Sequence, residues 1–163
     1  MSAISGVELK QPIWQTAIIF TLGFWLSGSL ILDLVIMPGL YATGMMTQAG
    51  FATAGYSIFW IFNRIELLCA ALVLTGVLVL RVTHYISRNH LIVLSLLLLA
   101  IAFIYTYILT PEMSALGIPL NLFDPPVDVP VTMTQMQEGY WVLEMLKLIG
   151  GSALLGLCYQ QSK

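Results

Sequence analysis

The chain is short of charge. Only 9% of its 163 residues are Asp, Glu, Lys or Arg, whereas a soluble domain carries about 25%, so it lacks the polar surface needed to face water. Histidine is scarce too. His84 and His90 both fall beside Arg81 and Arg88, between two apolar runs. A haem held by two imidazoles inside a bundle is thereby excluded, and loop histidines in a basic setting read as solvated or headgroup-facing. The two cysteines, Cys69 and Cys158, belong to different depths of their runs and form no C-x-x-C pair. That argues against a disulfide and against a dithiol oxidoreductase. There is no H-E-x-x-H, no Walker-type glycine loop and no nucleophile–base set, so an enzyme is not expected. No basic tract offers itself to nucleic acid, and the net charge of -2 is split by side and depth.

What the chain has is hydrocarbon: 59% of its residues are hydrophobic and its mean hydropathy is +0.92. An apolar run of about 20 residues crosses the hydrocarbon core of a bilayer. Four runs qualify, at 14–37, 56–80, 91–110 and 139–159. The expected fold is all-α, an integral membrane four-helix bundle making one transmembrane domain over 1–163. The first twelve residues hold Glu8 and Lys10 before a run longer than a signal-peptide core, which reads as an uncleaved anchor.

Orientation follows from Lys and Arg. Lys10 precedes the first span, Arg81 and Arg88 separate the second from the third, and Lys163 ends the chain. The connections 39–55 and 111–138 hold no Lys or Arg. Both termini and the middle loop are therefore expected on the cytoplasmic side, with the long 111–138 loop facing out.

The halves look alike. "IMPGLYATG" closes the first span and "LTPEMSALG" the third, and Gly55-Tyr56 and Gly139-Tyr140 open the spans that follow. Each Gly-Tyr is followed seven or eight places on by a basic residue, Arg64 or Lys147. Two tandem helical hairpins of the same orientation would produce this pattern, as in parallel transporter repeats, with 119–130 as a proline-rich insertion in the second. Pro38 and Pro111 also read plainly as residues that end or kink their helices. Trp14, Trp25, Trp60 and Trp141 read as interfacial aromatics.

Five charged residues fall inside the spans: Asp33, Arg64, Glu66, Glu144 and Lys147. An unpaired charge at mid-bilayer costs about 2.5–3.5 kcal/mol on insertion scales, so partners are expected. At about 1.5 Å per residue, all five fall in one layer of the outer half, with Tyr105 and Tyr107 at a similar level. Asn63 and Glu66 share a helix face, as do Glu144 and Lys147, whereas Arg64 and Glu66 point to nearly opposite sides. Expected partners are Asp33 or Glu144 for Arg64, and Glu66 or Glu144 for Lys147. Small residues (Gly23 with Ser27, Ala71 with Thr75, Gly151 below Lys147) are expected to let the helices approach. The cluster reads either as a charged staple fixing helix register or as a hydrated pocket or proton or cation path. A third reading has Arg64 snorkelling to headgroups or meeting a partner subunit.

Met37, Met45, Met46, Met113, Met133 and Met136 gather toward the outer face. Thioethers suit Cu(I), but methionine is also a common apolar gap-filler. No other cofactor is expected.

The stretch 28–68, "GSLILDLVIMPGLYATGMMTQAGFATAGYSIFWIFNRIELL", resembles the small four-span membrane family typified by transmembrane protein 205, related in appearance to the CopD copper-resistance membrane domain. The shared features are a small-residue first helix, the proline and aromatic at Pro38 and Tyr41, the step at Ala49 and Gly50, and an aromatic-rich second helix. Family members often carry a Phe-Pro near the start of that helix, where this chain reads "IFNRIEL". The resemblance implies a four-helix membrane protein, with metal or drug tolerance proposed for some relatives. The wording also looks like versions from oxygenic photosynthetic bacteria, which implies the bacterial plasma membrane or the thylakoid membrane. Two functions follow as expectations: an accessory or assembly factor docking to a larger membrane complex or to its own copies, and a small carrier of a solute, proton or metal that uses the buried cluster.

Overall fold

In the computed structural model, residues 10–43, 51–83, 89–113, 115 and 131–160 are described. Long apolar runs satisfy their backbone groups internally by forming helices, the arrangement that lipid demands. Helix α1 spans Lys10–Ile31, α2 Phe51–Val82, α3 Asn89–Ile104 and α4 Val131–Gln160. Four segments, Ile13–Leu40, Thr53–Val82, Asn89–Met113 and Glu138–Gln160, are long and apolar enough to cross a membrane. No strand occurs among the described residues. The elements described are all helical, and by length and composition the chain is a multi-pass membrane protein.

Helices overrun the expected limits. α2 begins at Phe51 rather than at 56, and α4 begins at Val131, inside the expected 111–138 loop. The proline-rich insertion expected in that loop, 119–130, lies outside the described residues.

α1 and α3 each continue through a π-helical turn, Leu32–Ile36 and Tyr105–Leu109. The Met37 N–H reaches back to the Leu32 carbonyl, and the Thr110 N–H to that of Tyr105. Pro38 and Pro111 follow directly. Proline has no N–H to donate and its ring crowds the carbonyl four residues back; the wider turn before it makes room for the ring. The helices therefore run past their prolines, α1 through Met37–Ala42 and α3 to Met113, instead of ending there.

Each helix packs against two others: α1 on α2 and α4, and α3 on α2 and α4. Gln15 donates to the Cys158 carbonyl while Tyr140 donates to Asp33, so α1 and α4 are antiparallel. Gly76 lies against Ile18 and Gly28 against Phe62, making α1 and α2 antiparallel too. One end of the bundle thus carries Lys10, Arg81 and Gln160, and the other carries the two prolines. The half nearer Lys10 is filled by Ile18, Leu22, Val73, Val77, Leu80, Leu91, Leu98 and Leu154.

Close approach depends on Gly151, one of the small residues expected, and on Gly76, which was not. A Cβ at Gly76 would sit 2.6 Å from Ile18 Cγ1, and one at Gly151 would sit 2.8 Å from Leu26 Cδ2. Gly23 has open space around it, and Ser27, Ala71 and Thr75 are exposed, the Ser27 and Thr75 hydroxyls donating back along their own helices. Outward faces carry Phe20, Leu68 and Val82, among the most exposed large side chains, as a lipid-facing surface requires.

Candidate functional site: a buried ladder of acids around Lys147

In the half of the bundle nearer the prolines the core changes character. Asp33, Asn63, Glu66, Tyr105, Glu144 and Lys147 are all buried there, none more than 5% exposed. All four helices contribute. The helical repeat explains why: Asn63 and Glu66 are three apart on α2, and Glu144 and Lys147 three apart on α4, so each pair presents one face.

The deepest rung is Glu66. Its Oε1 accepts from Trp25 Nε1 at 2.9 Å, from Ser29 Oγ at 3.0 Å and from Lys147 Nζ at 2.5 Å. Lys147 crosses the bundle from α4 to reach it. The same ammonium lies 2.7 Å from Glu144 Oε2 and 5.2 Å from the centre of the Tyr105 ring. Tyr105 closes the second rung, its hydroxyl standing 3.1 Å from Glu144 Oε2 and 3.2 Å from the Tyr140 carbonyl. In the third rung Tyr140 donates to Asp33 Oδ1 at 2.8 Å, and its ring stacks 5.1 Å from that of Tyr105. Asp33 Oδ2 and Glu144 Oε1 are buried and have no donor from the protein.

The expectation of a single layer gives way to a ladder. Ser29 to Asp33 is one turn of α1, about 6 Å, and Lys147 to Tyr140 is about 10 Å along α4 at the helical rise. The polar column thus runs from the bundle interior toward the proline end. Below it the packing is largely aliphatic, with Gln15 and Ser95 as buried polar side chains.

Arg64 corrects the expected pairing. It does not meet Asp33 or Glu144: the residue is exposed, and its guanidinium lies 3.9 Å over the Trp60 ring on the outside of α2. Glu66, two positions on, faces inward, so the opposed directions hold. About 25 Å separates Arg64 from Arg81 along the helix. A bilayer core is about 30 Å thick, so a long side chain near that level reaches headgroups without a protein partner. Lys147 pairs with both of its expected partners.

Asn63 serves the backbone. Its Nδ2 donates to the Tyr105 carbonyl at 3.3 Å and to Thr110 Oγ1 at 2.5 Å, securing the π turn of α3. Tyr107 points outward, 60% exposed. Trp25, Ser29 and Tyr140 were not singled out for the cluster. A signal for the first two existed: Trp25, Ser29 and Asp33 recur every four residues along one face of α1. Trp25 is accordingly a buried donor and not an interfacial aromatic, at 2% exposed.

Met37, Met113 and Met136 are half-buried, Met133 belongs to α4, and Met45 and Met46 lie outside the described residues. Among the described residues no three His, Cys, Asp or Glu side chains are placed to hold a metal ion. Lys147 occupies the gap between Glu66 and Glu144 that a metal would otherwise take. Cys69 and Cys158 are buried free thiols.

No family model matches the chain, and neither a curated protein nor a solved structure is detectably similar to it.

Proposed function

We propose that this chain is a non-enzymatic membrane protein that takes up a small cation from the proline end of the bundle into the ladder around Lys147. One observation carries the reading: the polar column holds three buried carboxylates, Glu66 and Glu144 on the Lys147 ammonium and Asp33 on the Tyr140 hydroxyl, and one buried ammonium. A staple that only fixes register would match its charges, since an uncompensated buried charge is costly. This cluster is short of positive charge, and Arg64 does not supply it.

With Lys10, Arg81, Arg88 and Lys163 on the cytoplasmic side, the ladder opens outward, and the aliphatic half below it favours a carrier or sensor over an open pore. Tandem hairpins fit the same picture. Both π turns stand just before their prolines, and buried Asn63 and Lys147 each lie seven residues after the tyrosine of a Gly-Tyr pair. The resemblance of 28–68 to the four-span family typified by transmembrane protein 205, with metal or drug tolerance proposed for some relatives, supports the same class of function.

The test is uptake by vesicles holding the purified chain, with an internal pH dye and a potassium diffusion potential as driving force. Internal acidification faster than in protein-free vesicles, and lost in Glu144→Gln, supports the proposal; rates equal to empty vesicles overturn it for protons, and parallel sodium and copper(I) arms extend the test to other cations.

A second reading, docking to a larger membrane complex, is favoured by Arg64 and Trp60, which present an exposed cation and ring on the side of α2. Mild-detergent purification should then recover a stoichiometric partner that Arg64→Ala fails to retain.

A further inference from the structure

Lys147 does more to the ladder than lend it one positive charge. Its side chain crosses the bundle and brings the ammonium to a point where carboxylate oxygens from two helices converge, Glu66 Oε1 at 2.5 Å and Glu144 Oε2 at 2.7 Å. All three side chains are 1% exposed. Those separations are close to the roughly 2.3–2.6 Å at which oxygens hold a hard metal ion. Both oxygens are placed by side chains other than the lysine: Trp25 and Ser29 hold Glu66 Oε1 from α1, and the Tyr105 hydroxyl stands against Glu144 Oε2 from α3. The ladder also keeps acceptors that the ammonium leaves unused, since Asp33 Oδ2 and Glu144 Oε1 are buried and take no donor from the protein. Such a surplus of buried oxygen draws in small cations. An ammonium has three donors and no acceptor, and its tether to α4 gives it an effective concentration that a free ion has to outcompete.

We infer that Lys147 is the specificity-determining residue of the ladder: its ammonium holds the place of a monovalent metal ion between Glu66 and Glu144, and so keeps sodium and other alkali-metal ions out of the bundle. This rests on the cation-uptake reading above and says which cations that uptake refuses. The exchange is of like charge for like charge. Without the ammonium, Glu66 and Glu144 bring two carboxylates to one buried point with no counter-charge, which is costly. A sodium ion there restores one positive charge to the same two oxygens. Glu144 Oε1, which no protein donor occupies, belongs to the same carboxyl group and offers a further ligand. Among the described residues no third acid joins the pair, so the point suits an ion that keeps some of its water and not a metal that needs a full protein cage. Shortening the side chain at position 147 makes room for that water.

Thermal unfolding of the full chain in detergent tests the assignment, with sodium chloride compared against choline chloride at equal ionic strength. The parent should melt at the same temperature in both salts. Lys147→Ser should melt well below the parent in choline and recover in sodium. Beyond half-saturation each tenfold rise in sodium should add a roughly constant upward step, as for an ion bound by the folded form alone. Adding Glu66→Gln to Lys147→Ser should abolish that step, whereas a general salt effect would leave it in place. Melting of Lys147→Ser alike in both salts, or its failure to fold in either, overturns the inference. So does a gain in parent stability from sodium that Glu144→Gln loses, a measurement that needs no lysine variant. Vesicle uptake separates the assignment from the reading it rests on. Sodium stabilisation of Lys147→Ser with no cation taken up by the parent keeps Lys147 as the occupant of an ion site and removes the uptake; sodium entry through the parent keeps the uptake and removes the selectivity.

Discussion

Replacing Lys147 by Met takes away the ammonium that Glu66 and Glu144 both contact, and leaves their oxygens without a cation in a buried site. Removing one partner of a buried ion pair costs about 3–5 kcal/mol. Lys147→Met should therefore lower the melting temperature in detergent sharply, and adding Glu66→Met with Glu144→Gln should recover most of the loss. Such recovery separates stability from function, because the triple variant should still fail to take up protons. Arg64→Ala should do little: an exposed cation–π contact is worth about 0.5–1 kcal/mol, and thermal unfolding would register a larger loss if a buried acid depended on it. These two side chains mark how far single residues were legible. The spacing of Asn63, Glu66, Glu144 and Lys147 sufficed to put them on inward faces. Nothing in the spacing said whether Arg64 would turn to a carboxylate or to Trp60, because that choice depends on where a neighbouring helix stops and the lipid begins.

At the scale of elements, the helix–helix contacts hinge on a few positions where nothing larger than hydrogen fits. An alanine methyl at Gly76 would meet Ile18 at 2.6 and 2.9 Å, so α1 and α2 must separate or Ile18 must leave its rotamer. Overpacking of this kind costs about 1–3 kcal/mol. Gly76→Ala should lower the melting temperature accordingly, and Ile18→Val in the same chain should restore part of it. Recovery equal to that of Ile18→Val paired with Gly23→Ala would disprove the contact, since Gly23 faces open space. Gly76, Gly23 and Gly151 are indistinguishable as letters; only the rotation of each helix tells which one meets a neighbour. The π turns were hidden for a related reason. Pro38 and Pro111 signal a break in α-helical hydrogen bonding, which reads as an end or a kink. The chain instead widens one turn and continues, which carries Asp33 and Tyr105 into the core just before each proline.

For the molecule as a whole, the four crossings were plain in the sequence because apolar length alone decides them, while the depth profile inside them was not. A polar half and an aliphatic half appear only when the faces of all four helices are turned together. That polarity gives sidedness a consequence: the ladder lies toward one end of the bundle, and the positive-inside rule predicts that this end faces outward. Thiol labelling decides this directly. Native Cys69 and Cys158 are buried and give little background, so new cysteines report their own positions. Glu138→Cys, at an exposed site near the proline end, should react with a membrane-impermeant maleimide in intact cells, and Gln160→Cys should react only after permeabilisation. The reversed pattern would put the mouth of the ladder on the cytoplasmic side. Asp33 would then face the cytoplasm, and the outward uptake route would have to be abandoned.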